Sequence, residues 1–135
     1  MKRDLHERLR KFAKRILRLA SELRKIPGAE RIADQIERSG PSIALNYAEA
    51  QAASSKAHFI TIIENSEREA RETQAALEII IDQEYIKPSR LASLYQESSE
   101  IVAILTTIAK RAKENITLGK FDTATPATRN RQKKE

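Results

Sequence analysis

The chain has 135 residues, no cysteine, 4% aromatic and 33% charged residues, and a net charge of +6. This length fits one domain with a real core, and the absence of cysteine excludes disulfides and thiolate-bound metals. Glycines and prolines are few while Ala, Ile, Leu, Glu, Lys and Arg abound, a balance that suits long helices and argues against a sheet protein.

The first stretch, residues 5–26, carries Leu5, Leu9, Phe12, Ile16, Leu19, Leu23 and Ile26 in alternating steps of four and three. That spacing predicts one long helix with a single apolar seam. Pro27-Gly28 ends it. A second seam runs through Ile32, Ile36, Ser39/Gly40, Ile43, Tyr47 and Ala50. It passes straight over Gly40-Pro41, the two residue types a helix interior tolerates worst. Gly40 falls on the core side, where a missing side chain permits close contact. Pro41 falls on the outer side and predicts a bend in the helix. Ser54-Ser55 offers a cap for a third helix. Its seam is Phe59, Ile62/Ile63, Ser66, Ala70, Thr73, Leu77 and Ile80/Ile81. Pro88 suits the first turn of a fourth, with a seam of Leu91, Leu94, Ser98, Ile101, Leu105, Ile108 and Ala112 and a stop at Gly119. Short connections make neighbours antiparallel. The predicted fold is all-α, an up-down-up-down four-helix bundle of left-handed crossing over residues 1–118, with its second helix kinked. Residues 119–135 read as a disordered basic tail.

Enzyme chemistry finds little support. Inward Glu-x-x-His pairs of a di-metal bundle are missing, since Arg3 and Ser55 precede His6 and His58 by three. His58 reads as a helix-start residue. Glu64, Glu67, Glu69 and Glu72 read as a solvated acidic face with Arg68 and Arg71 nearby. There is no phosphate loop and no nucleophile elbow. No catalytic residue, metal or cofactor is implied. No apolar run approaches the roughly 20 residues of a membrane span, and the N-terminus lacks a signal-peptide core. The expected location is cytoplasmic, with no membrane partner.

Charge is unevenly spread. Residues 1–26 hold ten basic and three acidic residues, residues 27–118 ten and fourteen, and residues 119–135 five and two. Such asymmetry suits an anionic partner. At 100° per residue, Arg10, Lys11, Lys14, Arg18 and Lys25 fall on the outer half of helix 1. They form a basic stripe about 20 Å long, suited to an RNA or DNA backbone. Helix 2 carries a second apolar stripe, Pro41, Leu45, Ala48 and Ala52, opposite its core seam. A second stripe needs a second surface to bury it, most simply another copy of the chain. Asn46 and Glu49, with Ser42, lie on its flank as polar groups that tie neighbouring helices or subunits together.

The segments QIERSGPSIALNYAEA (35–50) and SKAHFITIIENSEREARETQAALEIII (55–81) resemble the bacterial four-helix-bundle family of rRNA intervening-sequence proteins. The resemblance spans nearly residues 5–115 and is strongest at Ser42-Ile43, Asn46, Glu49-Ala50, Phe59 and residues 69–73. In that family a proline often follows the serine by three residues, whereas here Pro41 precedes Ser42. The family is similar in fold to the accessory variability proteins of diversity-generating retroelements, basic homopentamers that engage a reverse transcriptase and nucleic acid. The resemblance therefore implies a homo-oligomer, a pentamer by analogy, with a nucleic-acid-related role. The alternatives are an accessory subunit of such a reverse transcriptase and a protein-interaction bundle that binds no nucleic acid.

Overall fold

The computed structural model describes residues 2–117, as four helices: α1 (Lys2–Leu23), α2 (Glu30–Gln51), α3 (Lys56–Asp82) and α4 (Pro88–Thr117). Each packs on its neighbour in the chain, α1 and α4 close the square, and no diagonal pair meets. This is the predicted all-α four-helix bundle. The basic tail and the stop at Gly119 lie outside the described residues.

The seams fill the core: Leu9, Phe12, Ile16, Leu23, Ile36, Ile43, Ile63, Leu77, Ile80, Ile101 and Leu105 are essentially inaccessible. Leu5, Ile26, Ile32, Phe59, Ile81 and Ile108, toward the ends, are half-buried. Small residues off the simple seams are buried as well, among them Ala13, Ala20, Ala33, Ala44 and Ala76. They let the helices approach closely. At Gly40 a Cβ would stand 2.7 Å from Ile16 Cγ2 and 3.0 Å from Ile16 Cβ, so the absent side chain is where α1 and α2 touch.

Ser55 is the N-cap of α3, its Oγ accepting from the His58 amide at 3.1 Å, and α4 opens on Pro88, both as expected. Helix α1 stops three residues short of the predicted Ile26. The amides of Lys25 and Ile26 bond the carbonyls of Glu22 and Leu23, a tightened last turn. Pro27 holds the residue before it out of helical geometry. Gly28 then takes a left-handed φ of +92°, and its carbonyl accepts from the Tyr85 hydroxyl at 3.1 Å. Helix α2 runs continuously through Gly40 and Pro41. Pro41 has no amide hydrogen for the Glu37 carbonyl, and the flanking turns hold the helix.

Buried hydroxyls join α2 to α3. Ser39 Oγ and Thr73 Oγ1 are 2.8 Å apart, and Ser66 Oγ donates to the Ile43 carbonyl at 2.8 Å. The acidic residues of α3 are half-buried and bridge helices, which corrects the expectation of a solvated face. Glu69 and Glu72 pair with Arg38 of α2, and Glu64 pairs with Lys113 of α4. Glu67 pairs with Arg71 and accepts from Thr106 of α4. Arg68 turns instead to Asn65. The carboxylates lie close enough to the α2 and α4 shoulders for long basic side chains to reach them.

The α1–α4 seam is spanned by long charged side chains. Arg8 holds Glu97 and Glu100, Arg90 holds Glu22, and Arg15 donates to Ser93. The Arg90 guanidinium holds Glu22 below the usual carboxylate range. The Gln96 amide, and then Arg8, do the same for Glu100. A carboxylate whose pKa falls on folding stabilises the native state above its unfolded pKa, and that contribution is lost as pH drops through the folded value. The denaturation midpoint should therefore decline below the usual carboxylate value of 4.5, and Arg90→Ala should flatten that decline. A decline of unchanged steepness in Arg90→Ala would mean that the Arg90 pair contributes nothing to it.

Candidate interface on the outer face of α1 and α2

The outer shoulders of α1 and α2 form an open groove of about 810 Å³. Its floor is apolar, from Ala13 and Leu17 on α1 and Pro41, Ala44, Leu45 and Ala48 on α2. Arg10, Lys14 and Arg18 line its α1 side. The floor exists because Gly40 brings the two helices together and Ala13 and Ala44 are too small to fill the space above. Leu17 and Leu45 remain 41% and 68% exposed, a high value for leucines set side by side. His6 lines one end of the groove, with its ring stacked on Tyr47 at 6.3 Å between centroids.

Two surfaces that the sequence suggests separately thus share one site. Arg10, Lys14 and Arg18 of the basic stripe meet Pro41, Leu45 and Ala48 of the apolar stripe. Lys11 points outward, away from the groove. Lys25 lies beyond the end of α1, in the tightened turn. The helical part of the stripe is therefore the run from Arg10 to Arg18, about 12 Å at 1.5 Å per residue. Ala52 is the exposed C-cap of α2 and lies outside the groove, as do Asn46 and Glu49 on the opposite shoulder. Asn46 Nδ2 donates to the Ser42 carbonyl at 2.8 Å, and Ser42 Oγ donates to the Arg38 carbonyl at 2.7 Å. Both groups bond back into their own helix; Ser39, Ser66 and Thr73 make the ties to α3. Sequence reasoning missed Leu17. Its signal was the row Ala13, Leu17, Ser21, one residue every four, beside the main seam.

The charges around the groove are unspent. Arg8, Arg24, Arg38, Arg71, Arg90 and Lys113 are each ion-paired. Among the described residues Arg10, Lys11, Lys14 and Arg18 have no acidic partner within salt-bridge distance, and all four are exposed. Also among the described residues, no group of three or more His, Cys, Asp or Glu could hold a metal, and no helix is long and apolar enough to cross a membrane.

The fold and this surface define a class: an all-α four-helix bundle with an uncovered, cation-lined outer groove. The chain belongs to the 23S rRNA-intervening sequence protein family, whose model matches residues 2–107. It is similar to a crystal structure of a protein of unknown function from the S23 ribosomal protein family of Bacteroides thetaiotaomicron, at 36% identity and a TM-score of 0.74. The match covers 78% of this chain and 97% of that one. No curated protein matches the chain.

Proposed function

We propose that the chain is a non-enzymatic, homo-oligomeric bundle that binds RNA or DNA backbone through Arg10, Lys11, Lys14 and Arg18, with Lys25 at the end of the row. The observation that carries this reading is the row of exposed α1 cations without acidic partners, on a molecule that pairs many of its other basic side chains. Unpaired cations spaced along about 12 Å of helix meet phosphates one after another and release counterions as they do so. The surface offers no aromatic platform for bases, so binding is tolerant of sequence. Self-association is supported by Leu17 and Leu45, whose exposure costs free energy that a second copy would recover.

The slope of log affinity against log salt tests the first part. Lys11→Ala, outside the groove and free of packing, should make that slope shallower by about one unit and weaken binding to different sequences alike. An unchanged slope in Lys11→Ala would remove Lys11 from the contact.

A further inference from the structure

We infer that copies of this chain join head to tail, the Ile79 shoulder of α3 in one subunit seating on the Leu17 end of the α1/α2 groove in the next. The inference rests on the homo-oligomeric reading above and names the surfaces that would meet. Among the described residues three large apolar side chains are exposed: Leu17, Leu45 and Ile79. Two lie in the groove. Ile79, 47% exposed, lies elsewhere, with exposed Ala75, Glu78 and Asp82 around it. One surface is thus apolar with cations beside it and the other apolar with carboxylates beside it, the complementarity that fixes register between partners.

A symmetric contact of groove against groove fits less well. A two-fold axis there would bring Arg10, Lys14 and Arg18 toward the same cations of the partner, at a cost in like-charge repulsion. Two different surfaces make a heterologous contact, which closes into a ring or runs on as a filament. The placement of the surfaces favours a ring. The groove opens on the α1/α2 side of the square. Ile79 is seven residues from Glu72, on the shoulder of α3 that meets Arg38 of α2, so its patch opens on the α2/α3 side. Adjacent sides of a bundle turn successive copies through a large angle. The heights agree as well. Leu17 lies six residues before the end of α1, and Ala75 and Ile79 lie seven and three before the end of α3. At 1.5 Å per residue all three sit within about 10 Å of the same end of the bundle. Arg18 then meets Asp82, and Arg10, Lys11 and Lys14 stay free for phosphate.

The chain has no cysteine, so Leu17→Cys/Ile79→Cys introduces the only thiols. Helices α1 and α3 share no contact within one subunit, so any link between these positions joins two chains. Light scattering on the unmodified chain comes first, and a monomer at micromolar concentration overturns the homo-oligomer and this interface together. Given an oligomer, mild oxidation of the double variant should yield a ladder of covalent multimers, while each single variant stays uncrosslinked. An oligomer in which the double variant forms no ladder, or in which Leu17→Cys alone forms dimers, overturns the head-to-tail pairing and leaves the homo-oligomer standing. Arg18→Glu should weaken assembly and Arg18→Glu/Asp82→Lys should restore it; failure of that rescue also counts against the pairing.

Discussion

Gly40→Ala is expected to destabilise the bundle, although alanine is the better helix former by about 1 kcal/mol. The added Cβ would stand 2.7 Å from Ile16 Cγ2 and 3.0 Å from Ile16 Cβ. Ile16 is fully buried, and its Cβ is bonded to the α1 backbone, so a rotamer change does not clear the contact. Either α1 and α2 move apart or the side chain strains. Overpacking of this kind costs about 1–3 kcal/mol, enough to outweigh the gain in propensity. The urea midpoint should fall. In an Ile16→Ala background, where the obstructing branches are gone, the same substitution should become neutral or stabilising. A Gly40→Ala protein more stable than its parent would show that the helices do not need this approach.

The second large effect is expected at Arg38. Its guanidinium crosses from α2 to α3 and holds both Glu69 and Glu72, at 3.1 and 2.6 Å. Glu69 is the critical partner because its side chain is only 14% exposed. Its buried Oε1 makes no hydrogen bond and lies 3.1 Å from Arg38 Nη1. That oxygen is compensated by charge alone. Arg38 is half-exposed, so the attraction itself is screened and modest. The cost of removal lies in the carboxylate left behind. Arg38→Met should cost about 1–3 kcal/mol, the penalty for stranding a polar group. Arg38→Met/Glu69→Gln should recover much of it, because the neutral amide needs no counter-charge. If the double variant is less stable than Arg38→Met, the stranded charge is not the cause.

Both sites show what the sequence makes legible. Gly40 is readable because a glycine on the core side of an otherwise regular seam has few reasons to be there beyond close approach. The four helices follow from the same periodicity, and the caps at Ser55 and Pro88 from local chemistry. Arg38 is less readable. Its link to Glu69 and Glu72 depends on how α2 is rotated against α3, which no spacing within either helix encodes. The groove is intermediate. Each of its walls is visible as a stripe on one helix, but that Leu45 and Lys14 line one hollow depends on the α1–α2 packing angle. The end of α1 was misplaced because Ile26 continues the apolar pattern while Pro27, one residue later, forbids the geometry. Asn46 and Ser42 look like bridging groups, yet in α2 their own carbonyls are nearer than any neighbour's.

The central claim is that the exposed α1 cations bind phosphate backbone. It is tested most directly by the affinity of the full chain for double-stranded RNA or DNA between 50 and 200 mM salt. Four backbone contacts predict a slope near −3.6 and a loss of about a hundredfold over that range. An affinity that stays level across it, or the absence of binding at 50 mM salt, would contradict the account.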